Sequence, residues 1–116
     1  MEKENTAQPA AKAIGEATPE QIAAWKKQHG DVYEVSAIHP DTEQEHKGYL
    51  RRPTRPELSY ATKVGQSNPL GFNEAIVKSC WLGGSEEIRT NDALFMGVSG
   101  QLDVLIEVAQ ASIKKL

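Results

Sequence analysis

Val32-Tyr33-Glu34-Val35-Ser36-Ala37-Ile38 and Glu45-His46-Lys47-Gly48-Tyr49-Leu50-Arg51-Arg52 are the two stretches that decide the fold. The first is rich in β-branched and aromatic residues and is too short for a typical helix before His39-Pro40-Asp41 interrupts it. The second carries Tyr49 and Leu50 and stops at Pro53, which suits a strand end. Joined by the polar Asp41-Thr42-Glu43-Gln44, the two predict an antiparallel hairpin. An isolated hairpin is marginal in water, so one face must pack against helices or against a partner's sheet.

Helical patterns flank this hairpin. Upstream, Thr18 with Gln21 three residues later and Pro19 at the first helical position predict a helix over 19–29, closed by Gly30. Downstream, Thr54 with Glu57 repeats the capping spacing and predicts a helix over about 55–64 that ends at Gly65. Phe72, Ile76 and Cys80 at four-residue steps predict a short helix to about residue 81, stopped by Gly83-Gly84. Cap residues Thr90-Asn91-Asp92 introduce the stripe Leu94, Val98, Leu102, Leu105, Ala109 and Ile113, which predicts a long closing helix over about 91–114. Residues 1–17 hold Ile14 as their only large aliphatic side chain after Met1 and read as a disordered tail whose removal should leave stability unchanged. The expected fold class is therefore α+β: an antiparallel β-hairpin packed with about four helices, the C-terminal one long, in a single domain over residues 18–116.

Composition excludes several function classes. A formal net charge of −3 over 116 residues gives no global attraction to nucleic acid or to an anionic membrane. No apolar run approaches the roughly 18 residues of a membrane-spanning helix. The N-terminal stretch is acidic and lacks the apolar centre of a secretion signal, and the single cysteine cannot form an internal disulfide, so a cytoplasmic location is expected.

No catalytic, cofactor or metal site is expected either. His29, His39 and His46 have no His-x-x-x-His or Cys-x-x-Cys spacing around them and read as exposed, ordinary histidines. Cys80 lies on an apolar face beside Ile76 and Trp81 and reads as a buried small hydrophobe. Gly83-Gly84-Ser85 lacks the Lys-Ser/Thr of a phosphate loop, and Glu86-Glu87 reads as a solvated pair.

Two features point to binding. Lys47, Arg51, Arg52 and Arg55 are four basic residues without an acid among them in an acidic chain, and Lys47, Tyr49 and Arg51 share one face of a strand. Such a face suits an acidic protein surface, phosphates with a stacked base, or protection of a sheet edge against aggregation. The closing stripe is also wider than one packed face of so small a domain requires, which makes Ile106, Ala109 and Ile113 contact candidates for self-association or for a client.

Three stretches carry a resemblance. Gly48-Tyr49-Leu50-Arg51-Arg52-Pro53-Thr54-Arg55-Pro56-Glu57-Leu58, then Phe72-Asn73-Glu74 with Ser79-Cys80-Trp81, and the closing apolar stripe together resemble the tail assembly chaperones of long-tailed phages and prophages. The resemblance implies a non-enzymatic protein of the host cytoplasm that binds the tape-measure protein or tail-tube subunits and keeps them soluble until the tail polymerises. It transfers no catalytic residues. The long polar N-terminal stretch departs from the family pattern. A homo-oligomer is compatible with this reading, a small nucleic-acid-binding protein using the basic hairpin is the alternative, and no membrane partner is implied.

Overall fold

The Thr18 hydroxyl accepts a hydrogen bond from the Gln21 backbone N–H while the Gln21 side-chain oxygen accepts one from the Thr18 backbone N–H, so helix α1 (Pro19–His29) starts where its capping residues place it. Such a box satisfies two orphan donors and contributes about 1 kcal/mol. In the computed structural model, which describes residues 13–106 and 109–116, the same device at Thr54 and Glu57 opens α2 (Arg55–Ser67). Gly65 does not end this helix as expected. It lies against α3 (Pro69–Cys80), where Phe72 approaches closely enough that an added Cβ would sit 3.1 Å from its Cβ. The two helices are joined through Asn68 and pack on each other.

Strands β1 (Val32–Ile38) and β2 (Glu45–Arg51) pair antiparallel in one unbroken register, from Val32 opposite Arg51 to Ile38 opposite Glu45. A third strand, β3 (Trp81–Gly84), joins the other side of β2, giving the order β1-β2-β3. The sequence reading treats Gly83-Gly84 as a helix stop, and the structure corrects it. Gly84 has φ 122°, and a Cβ there would stand 2.5 Å from the Lys47 carbonyl oxygen, so glycine is what lets the chain run this close to β2.

One face of the sheet carries Tyr33, Val35, Ala37 and Leu50 into a core with Ala61, Ile76, Val77, Cys80, Ile88, Val98, Leu102 and Leu105. Ile88 is carried by the short α4 (Glu87–Thr90) and Val98 by α5 (Asp92–Ser99). The long closing helix of 91–114 is not formed. Asn91 caps α5 by accepting from the Leu94 backbone, but the helix ends at Ser99, and a 3-10 turn (Leu102–Leu105) delivers the next two leucines to the core. Gly97 and Gly100 each cost about 1 kcal/mol against alanine in a helix, and Val104 and Ile106 add β-branched crowding, so packing of Leu102 and Leu105 overrides the stripe. Five α-helices thus stand among the described residues rather than about four.

Residues 13–17, which sequence reading gives to the disordered tail, pack on the sheet, while residues 1–12 lie outside the described residues. Ile14 makes a parallel bridge to His46, its N–H donating to the Glu45 carbonyl at 2.8 Å and its carbonyl accepting from Lys47 N–H at 2.9 Å. Ala17 N–H donates to the Tyr49 hydroxyl at 3.1 Å. Deleting residues 1–17 is therefore expected to lower unfolding stability by about 1–3 kcal/mol, since it strands buried polar partners. Urea denaturation of the deletion beside one of residues 1–12, which removes none of these contacts, checks this.

Candidate interaction surface

Strand alternation does place Lys47, Tyr49 and Arg51 on one face of β2, opposite the face that enters the core. That face is not open. Trp25 of α1 stacks on Tyr49 with ring centroids 5.4 Å apart, and Tyr49 is 1% exposed. Its hydroxyl donates to Glu34 at 2.9 Å, and burial pushes the phenol above its ordinary pKa, with the Ala17 N–H opposing and Glu34 reinforcing the shift. Lys47 lies 3.5 Å from Glu34. Desolvation works against the Lys47 charge, but Glu34, Glu16 and Glu45 outweigh it and hold the ammonium above its usual pKa.

Arg51 is a structural clamp. Its two terminal nitrogens fork onto Glu57 at 2.9 and 2.8 Å, and it also donates to the carbonyls of Ser79 and Arg52. The hydrogen bonds from Arg51 bring the Glu57 carboxyl down to about 2, against a smaller opposing cost of burial. Arg52 donates to the Tyr33 hydroxyl at 2.8 Å, pairs with Asp31 at 3.0 Å and stands 5.6 Å over the Tyr33 ring. Arg55, at the first position of α2, is exposed. Of the two aliphatic candidates, Ile106 is half-buried behind the 3-10 turn, while Ile113 stands at 99% exposure.

His46 is buried at 2% exposure rather than exposed, and its Nδ1 lies 2.8 Å from Ser85 Oγ and 3.7 Å from Glu87 Oε1. This trio is not a nucleophile relay. Serine and glutamate address the same ring nitrogen, whereas a relay needs them on opposite nitrogens. The cluster ties the loop after β3 to β2. His39 likewise serves its own turn, its Nδ1 accepting from the Asp41 N–H at 3.1 Å. Cys80 is fully buried, and desolvation, partly offset by Arg51, pushes its thiol up to about 11, far from a reactive thiolate.

Among the described residues no group of three or more His, Cys, Asp or Glu side chains converges on a metal position, and no helix is long and apolar enough to cross a membrane. The concave regions are shallow. The one flanking β1, about 200 Å³, is lined by Tyr33, Glu34, Val35, Gln101, Val104 and Leu105. The fully exposed apolar side chains Ile113 and Leu116 stand in residues 109–116, which adopt no regular secondary structure. Sequence reading found Ile113 but assigned it to a helical stripe. The alternation over 109–114 and the edge position of β1 among the described residues escaped it, because the helical spacing Leu105, Ala109, Ile113 masks the alternation. No protein-family model, no curated protein and no solved structure matches this chain.

Proposed function

We propose that this chain is a non-enzymatic protein-binding module, and that its role is the one the sequence resemblance implies, a chaperone of phage tail assembly that holds tape-measure or tail-tube protein in soluble form. The observation that carries the binding reading is the complete exposure of Ile113 and Leu116 in a segment that contributes nothing to the core. Isolated apolar side chains on a surface are ordinary, but an irregular stretch holding two of them at full exposure is a contact element without its contact. The nucleic-acid alternative receives less support, because Lys47, Tyr49 and Arg51 are engaged inside the fold and are not available to phosphates or bases.

The test is co-expression with a tape-measure protein encoded beside this chain, followed by centrifugation and size-exclusion chromatography. A soluble complex is expected, and Ile113→Glu is expected to lose it while keeping its own cooperative melt, since an exposed substitution costs the fold little. A tape-measure protein equally insoluble with and without this chain would sink the tail-assembly role.

A further inference from the structure

We infer that the edge of β1, unpaired among the described residues, is a docking site for residues 110–116 of a second copy of this chain, added as a fourth antiparallel strand. Natural sheets blunt their edges with lysine, proline, bulges or short strands, because a free row of backbone donors and acceptors recruits other chains. β1 has none of these. It runs seven residues in unbroken register with β2 and holds Glu34 as its only charge. The opposite edge is managed in the usual way: β3 is four residues long, contains two glycines, has a register shift between Tyr49 and Leu50, and is continued by the Ile14 bridge.

The donor segment matches the β1 edge over residues 111–114. With Ile113 opposite Val35, an antiparallel register sets Ala111 opposite Ala37, Ser112 opposite Ser36, Lys114 opposite Glu34 and Leu116 opposite Val32. Ile113 then shares the face of Tyr33 and Val35 and meets the groove lined by Val104 and Leu105. Lys114 falls on the opposite face beside the Glu34 carboxylate, whose side chain is 44% exposed. Lys115 reaches the strand end, where its stem covers Tyr33 and its ammonium enters water near Asp31. A slip of one residue would drive Lys114 into the apolar groove and set Ile113 beside Glu34, and a slip of two would part Lys114 from Glu34, so the pattern favours this register.

The occupant is a second copy because the segment stands clear of its own sheet. Leu105 already lines the groove at Val35, and five extended residues reach up to about 17 Å, enough to fold back onto β1. Every residue of 109–116 is nonetheless exposed. Reciprocal exchange gives each copy one donated and one received strand, which closes as a two-fold dimer.

The experiment uses the purified full-length chain alone, so its failure leaves client binding untouched. Ser36→Cys and Ser112→Cys are prepared as separate variants, mixed, oxidised mildly and run on a non-reducing gel; Cys80 is buried and stays silent. A covalent dimer is expected from the mixture and from neither variant by itself, and Ile113→Glu is expected to weaken the dimer at least about tenfold in sedimentation by placing a charge in an apolar groove. The doubly substituted chain separates the alternatives. A disulfide within one chain would show that the segment covers its own edge and would overturn the proposal. A monomer in sedimentation that forms no cross-link would overturn it as well.

Discussion

Gly84→Ala is expected to lose about 3–5 kcal/mol of unfolding stability, a large share of what a domain of this size possesses. Two costs add. At φ 122° a side chain is strained whatever the space, at about 1–3 kcal/mol, and the new Cβ would meet the Lys47 carbonyl oxygen at 2.5 Å and the Gly48 Cα at 2.6 Å. Both atoms belong to the central strand, so relief requires β3 to move off β2, a misfit of about another 1–3 kcal/mol. Gly97→Ala is the control. That glycine lies in α5 with nothing within 4 Å of the added atom, and alanine there should be neutral or should stabilise by up to about 1 kcal/mol. Urea midpoints of the two variants decide the matter, and equal midpoints would mean that β3 does not rest tightly on β2.

Arg51→Met is expected to cost about 2–4 kcal/mol, because it leaves the Glu57 carboxylate with only the Thr54 N–H as donor and the Ser79 carbonyl without its Arg51 donor. The pair also sets an acid limit. The Glu57 carboxyl is depressed from 4.5 to about 2, so its contribution is fully present above pH ~4.5 and is lost as pH falls toward ~2. The full shift would correspond to about 3 kcal/mol. Both side chains keep roughly a quarter of their surface in water, at 22% and 25%, so solvent screening brings the expected loss nearer 2 kcal/mol. Glu57→Gln should flatten this limb of the stability profile. If wild type and variant lose stability in parallel between pH 5 and 2, the clamp is not what titrates.

The parts of this fold that could be read from sequence are those whose signal is local. Thr18 with Gln21 and Thr54 with Glu57 mark helix starts because capping is settled within four residues, and the β1–β2 hairpin follows from residue type and a short polar link. The misreadings are all cases where distant packing overrides a local signal. Gly65 continues a helix because Phe72 leans on it, and Gly84 enters a strand because β2 lies beneath it. Leu102 and Leu105 leave helical spacing because the core accepts them from a 3-10 turn. The basic stretch has an electrostatic setting that its local sequence does not show. Its acids, Glu34, Glu57 and Asp31, are 13, 6 and 21 residues from the bases Lys47, Arg51 and Arg52 that they pair with, so a local charge count sees excess where the fold has balance.

The position of Cys80 gives the protein a built-in clock for its own opening. The thiol lies at the end of α3, within the cluster that joins Leu50, Ile76 and Val98, and can meet a dissolved alkylating reagent only when that cluster parts. When reclosing outruns the chemistry, the labelling rate is the rate of a free thiol multiplied by the open fraction, so each tenfold slowing corresponds to about 1.4 kcal/mol of opening free energy. One natural side chain therefore reports the integrity of the core under native conditions, without denaturant and without an introduced probe.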